Sequence, residues 1–365
     1  MKKTILLFAL AFISFQSFCQ YARMVYSHET QPKRHSSIFS INGENSIVNI
    51  RESSNDTLRV MLIDIDENGE TDNYRMFEYS PFDMTTQFAL SGSGVNASGE
   101  VTLSILHQGT ASLDIKYITV DPTTGTFSNV FTLPTEFKKG FTRTCTKGDS
   151  LITYLANYST TGITRVARSL SNSGTNSTLA VSNVTYTGTL FNNNVACELI
   201  IDGDVEYMAL PDLIVKRDAS NAYTQVSHSA SMHAPCLAVN TSGQLYVLNR
   251  NNEEFTKLDG SLGTISSGSV PELQGLFNGL SEIYALPNDQ IRVWTSRTPV
   301  PKIIDLDVNS AVVQEQRTRN FPLGQLTANG EQFVLGMNTT FSSEIDTDGI
   351  PFQNGSSAIT VVSDD

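Results

Sequence analysis

Two of the chain's five histidines, a methionine and a cysteine share one nine-residue stretch, His228-Ser-Ala-Ser-Met232-His233-Ala-Pro-Cys236. Imidazole, thioether and thiolate are the donors that copper and zinc take, and the same side chains suit a ligand-binding loop. Four residues separate the histidines and two separate His233 from Cys236. That spacing lacks the paired intervals of a structural zinc site, and no carboxylate stands close by as a fourth ligand. The expectation is no metal and no cofactor, with His228, Met232 and His233 as candidate binding residues.

Three weaker constellations complete the chemistry. Asp64-Ile-Asp66-Glu-Asn68-Gly69 opens like a calcium loop, but Arg75 occupies the twelfth position, where a bidentate Glu closes the cage. Asp, Asn and Gly are common at hairpin turns for backbone reasons, and the hairpin reading is preferred. Asp56-Thr57-Leu58 and Asp149-Ser150-Leu151 resemble an O-glycosylation acceptor, with a turn Asp bonding the backbone as the stronger reading. Glu198 and Glu282 are the acids that could hold a divalent cation, and neither has a partner at diagnostic spacing. No Gly-x-Ser-x-Gly elbow, His-Glu-x-x-His pair or sialidase-type Asp box occurs, so no catalytic residue is assigned.

The opening MKKTILLFALAFISFQSFCQ has a basic pair, an apolar run from about Ile5 to Phe15, then small and polar residues. This reads as a signal peptide over residues 1–19, too short for a membrane span. Ser17 and Cys19 suit a signal peptidase, which sets the mature start at Gln20. The rival, a lipidated Cys19, is disfavoured by Phe18 beside it and by Gln16 where lipoprotein signals prefer Leu. The expected location is periplasmic, cell-surface or extracellular, with no membrane insertion. Losing Lys2 and Lys3 takes the formal net charge from −13 to −15. So acidic a chain repels phosphate backbones, which argues against a nucleic-acid partner.

What must position these residues is β-structure. Short apolar strands rich in Val, Ile, Thr and Tyr alternate with Gly, Asn, Asp and Ser turns, and sustained helical periodicity is missing. The stretch Cys236 to Ser266 alone holds four strands, at 236–239, 245–248, 255–258 and 262–265, and a lone meander of that kind cannot bury both its faces. Comparable turns centre on residues 55, 99, 149, 203, 243, 289 and 330. Their period of about 46 residues is the length of one four-stranded propeller blade. The fold class is therefore all-β, a β-propeller of four-stranded antiparallel blades, seven most consistent with the landmarks and six or eight the neighbouring counts. A pair of β-sandwiches is the rival. The expected boundaries are an N-terminal extension over 20–35 and a propeller over 36–365. Ring closure falls to Ser36–Ile41, pairing with a last blade built near 332–337, 342–346 and 358–362.

The unit at Pro235, Leu237-Ala238-Val239, Gly243, Leu245-Tyr246-Val247 and Lys257-Leu258-Asp259 resembles an NHL-type propeller repeat, over about one blade. That resemblance implies a fold shared by binding proteins and a few metal-dependent enzymes. The functional expectation is a binding or protein-interaction module at the bacterial envelope or cell exterior, monomeric, with a protein or glycan ligand. The alternatives are a metal-dependent propeller hydrolase or lyase and a structural surface or matrix protein. Cys145, Cys197 and Cys236 lie on or just before inner strands of successive blades. Cys197 with Cys236 is the candidate disulfide, and three buried thiols are the other reading. The mature protein is expected to begin at Gln20, and its intact mass checks the cut.

Overall fold

Asn96 and Asn240 begin the same turn in two distant parts of the chain. Asn96 Oδ1 accepts from the amides of Ser98 and Glu100, both at 2.9 Å. Asn240 Oδ1 accepts from Ser242 at 3.0 Å and Gln244 at 2.9 Å. In each, the third residue onward is a glycine with positive φ, Gly99 at 82° and Gly243 at 73°, where a Cβ would be strained. A second turn recurs at Asp121, Asp218 and Asp259, whose carboxylates accept from amides two to four residues ahead. These side chains tie off hairpins locally and fix where each strand starts.

The structure is a computed structural model that describes most residues between 22 and 362; the longest stretches outside the description are 1–21, 185–195, 229–234, 270–280, 296–301 and 338–355. Its strands fall into four-stranded antiparallel units. Unit 1 holds β2 (His35–Ile41), β3 (Glu44–Ser54), β4 (Thr57–Ile65) and β5 (Thr71–Tyr79). Unit 2 holds β6 (Gln87–Val95), β7 (Val101–Gln108), β8 (Leu113–Val120) and β9 (Phe127–Pro134). In unit 3 the inner strand is split into β10 (Gly140–Thr142) and β11 (Cys145–Lys147), followed by β12 (Ser150–Ala156), β13 (Ile163–Ser169) and β14 (Asn176–Ala180). Unit 4 has β15 (Ala196–Asp202), β16 (Val205–Leu210), β17 (Leu213–Arg217) and β18 (Tyr223–Ser227). Unit 5 has β19 (Cys236–Val239), β20 (Leu245–Leu248), β21 (Glu254–Leu258) and β22 (Thr264–Ser269). Unit 6 has β23 (Ser281–Leu286), β24 (Gln290–Thr295), β25 (Lys302–Asp307) and β26 (Val313–Arg317). Unit 7 combines β27 (Leu323–Leu326), β28 (Gln332–Met337) and β29 (Ser356–Val362) with the N-terminal β1 (Ala22–Glu29).

These seven units among the described residues are consistent with the seven turn landmarks. Units 3 and 4 are joined by a short parallel pairing of β10 with β15. Successive innermost strands lie beside one another, β2 by β6, β15 by β19, β19 by β23 and β23 by β27. The units thus radiate from a common axis, each covering its neighbour's face. The core follows from this, because its clusters lie between units. Val48, Ile50, Val60 and Leu62 of unit 1 pack with Leu103, Ile105 and Ile118 of unit 2, and Cys236, Tyr246 and Phe255 of unit 5 pack with Ile283, Ile291 and Val293 of unit 6.

Two expectations need correction. Residues 36–41 do not close the ring; within β2 they pair with β3, in register from His35↔Ile50 to Ile41↔Glu44. The two residues between Ile41 and Glu44 are Asn42-Gly43, the dipeptide most favourable to a tight hairpin. Closure comes instead from β1, inside the expected extension, which runs antiparallel to β29 from Ala22↔Val362 to Glu29↔Ser356. The expected strand at 342–346 lies outside the described residues. The second correction concerns residues 262–265: β22 starts only at Thr264, and Leu262 sits in the turn at φ 66°, buried against the core.

Since β1 supplies the outermost strand of unit 7, deleting residues 20–30 leaves that sheet with three strands and an open edge. The truncated protein should unfold more than about 5 °C below the protein that keeps these residues in a thermal melt. An unchanged midpoint would show that β1 contributes nothing to closure.

Candidate functional site

Units 3 and 4 meet across two facing rows of side chains. Tyr154, Arg165 and Leu179 are directly opposite one another on β12, β13 and β14. Glu206, Arg217 and Tyr223 stand in the same relation on β16, β17 and β18. Strand side chains alternate between faces, so each row shares one face of its sheet. Glu206 is fully enclosed, at 1% side-chain exposure. Its Oε1 accepts from Lys147 Nζ at 3.0 Å, Arg165 Nη2 at 2.8 Å and Arg217 Nη1 at 2.9 Å. Its Oε2 accepts from Arg165 Nε at 2.8 Å and the Tyr154 hydroxyl at 2.6 Å.

Burial alone would raise the carboxyl's pKa, but the hydrogen bonds from Arg165, Tyr154 and Lys147 outweigh it and hold Glu206 at about 2. Burial, and then the negative charge of Glu206, push the Tyr154 hydroxyl upward. A carboxylate kept ionised and a phenol kept protonated make a poor general base and a poor general acid near neutrality. What the arrangement can do is fasten two sheets and gather cationic donors at one place.

Related clamps join other units. Tyr246 on β20 faces Lys257 on β21, and both reach Asp289 at the start of β24, the hydroxyl at 2.7 Å and Nζ at 2.8 Å. Burial and the bond to Asp289 push Tyr246 up to about 12. Tyr207 faces Lys216 in unit 4, and Lys216 donates to the Gly260 carbonyl of unit 5. Tyrosine beside a cation on neighbouring strands, aimed at an acceptor on the next unit, therefore recurs in units 3, 4 and 5. Sequence reading passed over Glu206, although the signal was present: it is the one acid in the otherwise apolar strand VEYMAL.

The residues singled out from sequence are not gathered into one site. His228 Nε2 donates to the Leu210 carbonyl at 2.8 Å and its backbone amide to the Asp212 carbonyl at 3.0 Å. It follows β18, the outermost strand of its unit, and closes onto the β16–β17 turn. Met232 and His233 lie outside the described residues. Cys236 heads β19 and is buried between units 5 and 6, while the adjacent Leu237 faces unit 4. Cys197 pairs through its backbone with Thr142; its side chain, and with it the bridge to Cys236, lies outside the description. Glu198 is buried on β15, and the Glu282 side chain is not described. Asp64, the first ligand of the calcium reading, is instead salt-bridged to Arg75, which also donates to the Pro122 carbonyl of unit 2 at 3.3 Å. The residue in the closing position is thus a fastener between units. Among the described residues no three His, Cys, Asp or Glu side chains converge on a metal position, and no helix is long and apolar enough to cross a membrane.

Radiating four-stranded sheets with a closing strand from the opposite terminus define a β-propeller. Solved structures show the same architecture over nearly the whole chain. Virginiamycin B lyase from Staphylococcus aureus aligns at a TM-score of 0.55 with 11% identity, covering 94% of this chain and 100% of that one. The structure of U3-55K aligns at 0.55 with 6% identity, over 93% and 98%. YCF48 bound to D1 peptide aligns at 0.54 with 11% identity, over 94% and 98%. At such identities the likeness is one of fold. No family model matches the sequence, and no curated protein matches it significantly.

The Glu206 cluster predicts an acid limb in stability. Its folded pKa of about 2 lies below the ordinary 4.5, so its stabilisation is present above 4.5 and is lost as pH falls through about 2. The shift corresponds to about 3 kcal/mol at neutral pH. Glu206→Gln should cost about 3–5 kcal/mol by leaving buried cations unpaired. It should also flatten the dependence of stability on pH between 4.5 and 2. Denaturant unfolding across that range, showing the same slope in both proteins, would refute the assignment.

Proposed function

We propose that the chain is an exported binding or protein-interaction module that acts at the bacterial envelope or outside the cell. The observation that supports this most is full-length likeness to propellers, one of them, YCF48, solved with a D1 peptide bound. The geometry is compatible with this: among the described residues the ionisable groups that the fold brings together are fasteners between units. The acidic net charge of −13 favours a ligand that is neutral or basic over a nucleic acid. Protein or peptide is the ligand class proposed. In-cell cross-linking of the full chain, then titration of the recovered partner against the purified mature protein, tests it. One-to-one saturable binding, lost when a loop at one end of the ring is exchanged, is the expected result.

A second reading, a metal-dependent lyase or hydrolase, draws on the likeness to virginiamycin B lyase. Elemental analysis separates the two. One equivalent of divalent metal together with turnover of a substrate panel would replace the binding reading; a metal-free protein that binds its partner supports it.

A further inference from the structure

The chain has three Asp-Ser or Asp-Thr pairs, and two of them, Asp56-Thr57 and Asp149-Ser150, are followed by a leucine. The third, Asp346-Thr347, runs on to Asp348. The fold puts the two leucine-bearing triads in one local setting. Each Asp is exposed in a tight turn, each hydroxyl residue is half-buried as the first residue of the strand that follows, β4 or β12, and each leucine is wholly buried. The two turns also share one end of the ring. Tyr79, directly opposite Leu58, packs its ring 5.2 Å from that of Phe127 in unit 2, and Phe127, Val120, Val101 and Val95 run across unit 2 to the turn at Asn96. In unit 3, Thr146 on the strand entering the Asp149 turn donates at 3.0 Å to the carbonyl of Ser93, on the strand entering the Asn96 turn. We propose that Thr57 and Ser150 are O-glycosylation sites, which place two glycans at that end of the ring, one on unit 1 and one on unit 3.

The co-reactant is an activated sugar, its anomeric carbon bonded to a phosphate oxygen of a carrier. A transferase joins that carbon to the Oγ of Thr57 or Ser150. The carbon–phosphate-oxygen bond breaks, the carrier leaves with the electron pair, and the hydroxyl proton passes to a base of the transferase. Two features of the turns suit this. The Thr57 hydroxyl donates to the Asp56 carboxylate at 3.2 Å, which directs its proton to a negative charge and leaves the oxygen lone pairs for the incoming carbon. The buried leucine holds the backbone beneath, and a glycan on an exposed turn displaces no packed side chain. Asp149 also ties the turn to the backbone, accepting from the Ser171 amide at 3.3 Å. That bond occupies the carboxylate and not the Ser150 hydroxyl beside it. The inference rests on the reading of the chain as exported, and not on its binding a partner.

The test is mass spectrometry of the full chain purified from its native cells, with the cell fractions kept separate. Peptides holding Thr57 and Ser150 should be heavier by one or more sugar residues, which electron-transfer fragmentation places on those two hydroxyls. Ser98, Thr123 and Thr124 are exposed at the same end with no Asp directly before them, and should be bare. Thr57→Val and Ser150→Ala should each remove one increment, Thr57→Ser should keep it, and Asp56→Asn, which leaves the hydroxyl in place, should lose it. Bare Thr57 and Ser150 in chain recovered outside the cytoplasm, or sugar on the three control residues instead, overturn the proposal. Chain recovered only from the cytoplasm overturns the export reading and the proposal with it.

Discussion

A four-stranded sheet whose strands run three to eleven residues has two apolar faces and no means of burying either alone. Every other feature of this structure follows from that constraint. Each sheet needs a neighbour on both sides, and a row of such sheets ends in two uncovered faces unless it returns on itself. The pairing of β1 with β29 ties the two ends of the chain into one sheet. Closure by an outermost strand is economical in sequence, since it asks only for a short amphipathic segment and leaves the inner strands to their own hairpins.

Between neighbours the fastening is polar as often as it is apolar. Arg75 reaches Pro122 from unit 1 to unit 2. Thr144 of unit 3 bonds Ser91 and Ser104 of unit 2, both at 3.0 Å. Glu206 receives three side chains from unit 3, and Asp289 of unit 6 receives two from unit 5. Buried ion pairs add little net stability relative to a well-packed apolar replacement, but breaking one is costly. Their value here lies in registry. Apolar faces of Val, Ile and Leu slide over one another at small cost, whereas a carboxylate that accepts five hydrogen bonds admits one offset between two sheets.

The fold was legible because its signals are local and repeated. Turn residues mark each hairpin, and the Asn-x-Ser-Gly turns at 96 and 240 carry the same bonds. Closure was harder to read. Ser36–Ile41 looks like a spare strand only if Asn42-Gly43 is overlooked, and Ala22–Glu29 pairs with residues more than 300 positions away, which no local pattern reveals. The Glu206 cluster was hidden for a related reason. Its members come from β11, β12, β13, β16 and β17, and each alone is an ordinary Tyr, Lys, Arg or Glu in a strand. Histidines and cysteines attract notice in a sequence because they are rare, yet His228 here serves a carbonyl at a turn. The sheet packing, and not the residue type, decides which polar groups meet.

Radial geometry also decides residue size. Sheets that diverge from an axis leave a gap that widens outward, so one row crossing a sheet from inner to outer strand must grow. Between units 2 and 3 the row is Gly92, Ser104, Tyr117 and Phe131, each directly opposite the next. At its inner end a Cβ on Gly92 would lie 2.2 Å from the Thr144 carbonyl oxygen, so no larger residue fits without moving backbone. At its outer end Arg168 lies between the Tyr117 and Phe131 rings, 5.2 and 5.1 Å from their centres. The row between units 4 and 3 obeys the same rule in charged form, with Glu206, Arg217 and Tyr223 growing bulkier toward the rim. Arg165, Arg168, Lys216, Arg217 and Lys257 all stand on third strands, where the gap needs filling and water is near enough to hydrate what the neighbour does not bind. Among the described residues the neighbour then supplies what such a cation needs, a carboxylate for Arg165, a carbonyl for Lys216 and a pair of rings for Arg168.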